Sequence, residues 1–172
     1  MLRLAGCMLT ALGCVGLGYW YRRQFAERLR HLKTLISILD IMMSEVRYSK
    51  ASLPECCRSL SVRLEEPYRE VFSRIWEETR ENDGETYREI FVKNMKECMG
   101  QVPLGNEEKR LFLELAARYG FEDTRMQLSS MEQCKEQLKT LCTRLEREVN
   151  EKGKMAMSLG TLGGLLLIVI LL

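Results

Sequence analysis

Histidine is nearly absent from this chain of 172 residues, since His31 is the only one. A histidine-based catalytic centre or metal site would need partners that the chain hardly supplies, so we expect His31 to be a surface or juxtamembrane residue. No phosphate-binding loop is present either, because no Lys-Ser/Thr pair follows Gly105. Carboxylate pairs such as Glu107-Glu108 lie among Lys and Arg and are typical of solvated helix faces and helix starts. The sequence therefore predicts no enzyme, no cofactor and no metal.

The cysteines lack the pattern of a disulfide framework. Their number is odd and no Cys-x-x-Cys pair occurs, which favours a reducing compartment. We interpret Cys134 and Cys142, two turns apart on one predicted helix, as small apolar fillers. The seven are Cys7, Cys14, Cys56, Cys57, Cys98, Cys134 and Cys142.

Charge is absent from both ends of the chain. Residues 4–21 and 155–172 contain no Asp, Glu, Lys, Arg or His. Each run would form about 27 Å of helix, just enough to cross the hydrocarbon core of a bilayer. A cleaved signal peptide, or a lipoprotein box ending at Cys7, is the alternative for the first run. We favour a retained anchor, because Arg3 is the only preceding basic residue and the apolar run continues beyond Cys7.

Basic residues flank both apolar runs on their inner sides. The positive-inside rule therefore places residues 22–154 in the cytoplasm as one domain, in a protein of the cell membrane that contacts the lipid bilayer. The net charge of +2 indicates no polyanion, and hence no nucleic acid, as a partner. The flanking basic residues are Arg22, Arg23, Arg28, Arg30, Lys33, Arg144, Arg147, Lys152 and Lys154.

Both predicted spans carry small side chains at every fourth position. Such faces allow close approach of helices in lipid, so we expect the spans to pack on each other or on partner spans. The alternative is that Gly and Ala are simply common in membrane helices. These positions are Gly6, Thr10, Cys14 and Gly18 in the first span, and Ala156, Gly160 and Gly164 in the second.

The middle of the chain shows helical periodicity and no alternation at period two. We predict an all-α bundle of about six helices with short connections, flanked by an N-terminal and a C-terminal transmembrane helix. The first and last helices are the longest, and we expect them to lie side by side. The opening helix carries its apolar face on Leu29, Leu32, Leu35, Ile36, Leu39, Met42, Met43 and Val46.

Turn and cap signals divide the middle into helices. Ser52-Leu53-Pro54-Glu55 predicts a capping box with proline in the first turn. Asn82-Asp83-Gly84 predicts a turn, and residues 100–106 predict a loop. Gly120 is a candidate left-handed cap, and Asp123 is placed to cap the final helix.

The polar segment Glu45-Val46-Arg47-Tyr48-Ser49 follows the opening helix and is predicted to be a turn. Glu45 and Tyr48 are three residues apart and would share a helix face. One reading is a polar helix end, with Arg47 favoured by the helix dipole and Tyr48 packed under the next loop. The other reading makes Glu45, Arg47 and Tyr48 a hinge or contact site.

A Leu-rich helix followed by Glu-Val-Arg-Tyr-Ser-Lys-Ala-Ser-Leu-Pro resembles the stage III sporulation protein AB family, whose members share Glu-(Ile/Val)-x-Tyr-x-x-(Thr/Ala)-x-Leu here. A second element of that family, Leu-Gly-x-x-Asp-x-x-x-Gln, is matched at Gly120, Asp123 and Gln127. Capping would explain Gly120 and Asp123 equally well, with Gln127 bracing the cap. Lys50-Ala51-Ser52 departs from the family, in which a Thr before Pro or Leu is commoner.

The resemblance implies a non-enzymatic membrane scaffold. The family in turn resembles the cytoplasmic domains of the inner-membrane platform proteins of type II secretion and type IV pilus systems. By that resemblance the chain would be the platform subunit of the channel complex that links mother cell and forespore in endospore formation. Its partners would be a cytoplasmic secretion-type ATPase and other membrane subunits of the channel. The alternative is a membrane-anchored regulatory or signalling module that binds a cytoplasmic partner.

Overall fold

The computed structural model describes the backbone of residues 2–81, 84–117 and 124–171, and the side chains of residues 23–81, 84–117 and 124–151. It contains no β-strand within these ranges, which confirms the all-α prediction. The described residues form six α-helices and one short π-helical segment, Glu45–Ser49, which we call the π-turn. The helices are α1 (Leu2–Ser44), α2 (Leu53–Arg63), α3 (Tyr68–Glu81), α4 (Tyr87–Gln101), α5 (Asn106–Ala116) and α6 (Thr124–Leu171).

The chain divides into two compact units. The helical unit is Arg30–Cys142, and the terminal unit combines Met1–Leu29 with Thr143–Leu172. Within the part of the chain that the structure describes, no helix is both long enough and apolar enough to cross a membrane. The structure does not describe the side chains of either predicted span. The predicted small-residue packing at Gly6, Thr10, Cys14, Gly18, Ala156, Gly160 and Gly164 therefore lies outside the described side chains.

The core of the helical unit is apolar and includes residues from every helix. The predicted inner face of α1 is largely confirmed, although Ile36 is only half-buried and Ile38 is fully buried instead. Lys135 of α6 pairs with Asp40 of α1 at 3.2 Å, so these two helices are neighbours here, as predicted. The largest fully buried side chains are Phe72, Phe91, Phe112, Leu32, Leu35, Ile38, Leu39, Met42, Leu60, Ile75 and Met95.

Two capping boxes fix the starts of α2 and α4. The backbone N–H of Ser52 donates to Oε2 of Glu55 at 2.8 Å, which confirms the predicted capping box. The backbone N–H of Thr86 likewise donates to Oε2 of Glu89 at 2.8 Å. The second box has the same Ser/Thr-x-x-Glu spacing but was not predicted from the sequence.

We expect these two boxes to make stability depend on pH in the acid range. The backbone hydrogen bonds from Ser52 and Thr86 lower the pKa values of Glu55 and Glu89. A lowered folded-state pKa gives stability that is present above the ordinary carboxyl pKa and is lost as pH falls through the folded-state value. Glu55→Gln with Glu89→Gln should therefore flatten the loss of unfolding free energy between about pH 5 and about pH 3.

Urea unfolding followed by circular dichroism at several pH values measures this effect. Glu107→Gln is the matched control, because Glu107 is exposed in the first turn of α5 and belongs to neither box. An acid slope equal to that of the unsubstituted chain in the double variant would show that the caps do not cause it.

The connections differ in detail from those predicted. Helix α3 ends at Glu81, immediately before the predicted turn, and Gly84 has a φ of +85°. Helix α4 continues through Gln101, so the loop predicted over residues 100–106 spans only 102–105. Val102 and Leu104 are buried there, so the loop contributes to the core.

Two polar residues predicted at the surface are buried, so the predicted exposure of both is wrong, whereas the helix start predicted at Glu107-Glu108 is confirmed. His31 is 9% exposed, and its Nδ1 lies 3.3 Å from the hydroxyl oxygen of Tyr68. Glu108 is 1% exposed in the first turn of α5, where the helix dipole favours a carboxylate. Periodicity places these residues on a helix but does not show which neighbouring helix covers them.

Candidate interaction groove

The π-turn is the local feature around which the groove is built. The carbonyl oxygen of Glu45 accepts hydrogen bonds from the backbone N–H groups of Lys50 and Ala51, the latter at 3.3 Å. Lys50 closes the turn in the left-handed conformation, with φ 50° and ψ 30°. That conformation is unusual for a residue with a side chain, and π-helical turns occur frequently at functional sites.

The side chain of Glu45 fastens the π-turn to α2. Its Oε1 accepts a hydrogen bond from Oγ of Ser59 at 3.0 Å and pairs with Nη2 of Arg63 at 3.2 Å. Tyr48, in contrast, is 78% exposed. The prediction that Glu45 and Tyr48 share a helix face assumed α-helical geometry, whereas a π-helical turn changes the angle between residues three apart. The alternative that Tyr48 packs under the next loop is wrong.

We expect Glu45→Ala to destabilise the helical unit by about 1–2 kcal/mol, since it removes one part-buried hydrogen bond and one ion pair. Arg63→Gln is the matched control, because it removes the ion pair alone and should cost at most about 1 kcal/mol. Urea unfolding of both variants measures the difference. Equal losses would mean that the Ser59 hydrogen bond contributes nothing to stability.

Beside the π-turn lies a groove of about 690 Å³. Its walls come from four parts of the chain: the π-turn with the segment that follows it, the start of α2, the start of α4 and the start of α6. A volume of this size is typical of ligand-binding clefts. The lining residues are Val46, Arg47, Lys50, Ala51, Ser52, Leu53, Pro54, Tyr87, Thr124, Gln127 and Leu128.

The groove brings together some of the predicted site residues. Arg47 and Gln127 both line it, although they lie on segments far apart in the sequence. Glu45 and Tyr48 belong to the π-turn but are not among the lining residues. Gly120 and Asp123 lie outside the described residues.

Several lining residues were not identified from the sequence as site residues. Leu53 was predicted only as part of the capping box at the start of α2. From the sequence, Lys50 was singled out only because it belongs to the segment that departs from the family pattern. No glycine or asparagine stands at this position to signal a left-handed residue.

The two cysteines behind Tyr87 are unreactive. Sγ of Cys57 lies 3.3 Å from the tyrosine hydroxyl. Burial raises the pKa of Cys57 to about 12 and that of Cys56 to about 11, so both thiols stay protonated and unreactive at neutral pH. Within the described residues, no group of three or more His, Cys, Asp or Glu side chains is placed to hold a metal ion. Cys134 and Cys142 are buried, as expected of apolar fillers.

The chain is similar to known sporulation proteins. The curated stage III sporulation protein AB of Bacillus subtilis (strain 168) is 22% identical over 172 residues, which cover the full length of both chains. A solved structure of a stage III sporulation protein AB has the same fold, with a TM-score of 0.65 at 16% identity, over 72% of this chain and 97% of that one. The family model described as stage III sporulation protein AB matches residues 3–172. The chain therefore belongs to the stage III sporulation protein AB family.

Proposed function

We propose that the chain is a non-enzymatic membrane scaffold, a platform-like subunit of the complex that links mother cell and forespore. In this proposal the two charge-free ends, residues 4–21 and 155–172, cross the membrane, and residues 22–154 face the cytoplasm. The helical unit docks a cytoplasmic secretion-type ATPase, and the spans contact other membrane subunits of the channel. Membership of the sporulation family supports the complex, and the charge pattern supports the topology.

The groove is the observation that carries the docking part of the proposal. The π-turn lies within the first family element and Gln127 ends the second, and the lining residues come from both. A scaffold needs a surface held in fixed geometry, and Glu45 supplies this by fastening the π-turn to α2.

Co-purification tests this function. The full chain, solubilised in detergent, is expected to retain the cognate sporulation ATPase on an affinity column with a defined stoichiometry. Docking through charged surfaces should weaken as salt rises, because salt screens exposed charges. Failure to retain the ATPase at low salt, with the chain shown to be helical by circular dichroism, would exclude docking. Retention without fixed stoichiometry would favour the regulatory module.

A further inference from the structure

We infer that the groove beside the π-turn binds an acidic segment of a partner protein, one in which carboxylates flank an aliphatic residue. This inference rests on the proposed docking function and names the chemistry of the docked segment. It follows from two features of the groove: its cations and its apolar floor.

The cations of the groove have no carboxylate partner in the described part of the chain. Arg47 and Lys50 are exposed and lie three residues apart, yet neither forms an ion pair there. Other arginines of the helical unit do, for example Arg69 with Glu66 at 2.6 Å and Arg74 with Glu70 at 3.0 Å. The positive charge at the rim is therefore available to an incoming anionic group.

Among the residues that the structure describes, two carboxylates near the groove are paired with cations. Glu45 pairs with Arg63, and Glu132, whose pKa Arg47 helps to lower, pairs with Lys135 at 2.7 Å. Glu55 accepts the hydrogen bonds of the Ser52 cap from neutral donors and keeps its negative charge. The attraction for an acidic partner therefore rests on Arg47 and Lys50 themselves, which line the groove and are exposed.

The floor of the groove is apolar. Pro54 and Leu128 line the groove and are half-buried, so they keep apolar surface that water reaches. Val46 and Leu53 are buried beneath them, and Gln127 adds an amide. A purely ionic ligand would leave this floor in contact with water, whereas an aliphatic side chain would cover it. Cations at the rim around an apolar floor therefore fit a peptide segment better than a small anion.

The test uses a synthetic peptide of Glu and Leu residues as the probe, labelled for fluorescence anisotropy and titrated with the full chain in detergent. A peptide with Lys in place of Glu and one with Ser in place of Leu are the ligand controls. The acidic Leu peptide should bind most tightly, and its dissociation constant should rise with salt.

Charge reversal locates the binding. Arg47→Glu with Lys50→Glu should weaken binding of the acidic peptide at least about tenfold. Arg58→Glu with Arg80→Glu is the matched control, because neither arginine lines the groove. Both contact Trp76 instead, with guanidinium carbons 5.9 and 5.8 Å from its ring centroid. Each pair of reversals changes the net charge from +2 to −2, so the overall field is equal in both variants.

The outcomes separate this inference from the docking function. Equal losses in the two double variants, or equal binding of the Lys peptide, would overturn the inference. Loss of the ATPase in the groove variant without any binding of the acidic peptide would also overturn it and leave docking intact. Groove-specific peptide binding with ATPase retention unchanged would support the inference and show that the ATPase docks elsewhere. Self-association of the chain that the groove variant abolishes would instead identify a second copy as the occupant.

Discussion

Replacing Phe91 with alanine is expected to lower the free energy of unfolding of the helical unit by about 3–5 kcal/mol. Phe91 is fully buried on α4. Its ring centroid lies 6.1 Å from that of Phe72 on α3, in an edge-on arrangement, and 5.7 Å from that of Tyr87. Alanine would remove both ring contacts and leave a cavity that a close-packed core closes only in part.

Urea unfolding of the full chain in detergent, followed by far-ultraviolet circular dichroism, measures this loss. Phe91→Leu keeps most of the apolar volume and should cost clearly less than alanine. Val62→Ala is the surface control, because Val62 is 81% exposed, and it should change stability by no more than about 0.5 kcal/mol. A loss for Phe91→Ala as small as that for Val62→Ala would mean that α3 and α4 do not pack as described.

A cavity at Phe91 should also affect the groove. Tyr87 contacts Phe91 and lines the groove one turn earlier on α4. Phe91→Ala is therefore expected to weaken binding at the groove as well as stability, whereas Val62→Ala should change neither. For this reason the charge-reversal variants, which alter only exposed side chains, are the cleaner test of the groove itself.

The helices of the unit could be predicted from the sequence because their signals are local. Ser52 and Glu55 predict a capping box from their spacing alone, and the box is present. Apolar residues at helical spacing predict which side of α1 faces inward. Ile38 is fully buried at the edge of that face, whereas Ile36 is only half-buried. This difference in burial depends on which helix lies opposite, and no local pattern contains that information.

The groove could be predicted only in fragments. Arg47 and Gln127 were singled out on different segments, but their meeting depends on how α6 packs beside the π-turn. The π-turn itself was predicted as an ordinary polar turn, because a π-helical register has no distinct composition. The burial of His31 beside Tyr68 could not be predicted for a similar reason. A residue of α3 covers a position that looks exposed on α1 alone.

Replacing Lys50 with glycine is expected to stabilise the helical unit while weakening binding at the groove. The left-handed conformation of Lys50, with φ 50°, costs a residue with a side chain roughly 1–2 kcal/mol. Glycine removes this strain, but its greater freedom in the unfolded chain offsets roughly 0.5–1 kcal/mol. The net gain in unfolding free energy should be about 0.5–1 kcal/mol.

The same substitution removes one of the two cations at the rim of the groove. Loss of Lys50 should weaken binding of the acidic peptide by roughly twofold to fivefold, with a smaller dependence on salt, because Arg47 remains. Strain that persists at a binding surface is consistent with a residue kept for its contacts rather than for stability.

Lys50→Ala separates strain from charge. Alanine removes the cation but keeps a side chain in the left-handed conformation, so it should weaken binding as much as glycine does and give no gain in stability. Urea unfolding and peptide anisotropy on both variants test the two effects independently. If glycine were to destabilise the unit, Lys50 would be held by contacts that outweigh its backbone strain. If binding were unchanged in both variants, Arg47 would carry the recognition alone, and the lysine would have no part in the groove beyond closing the π-turn.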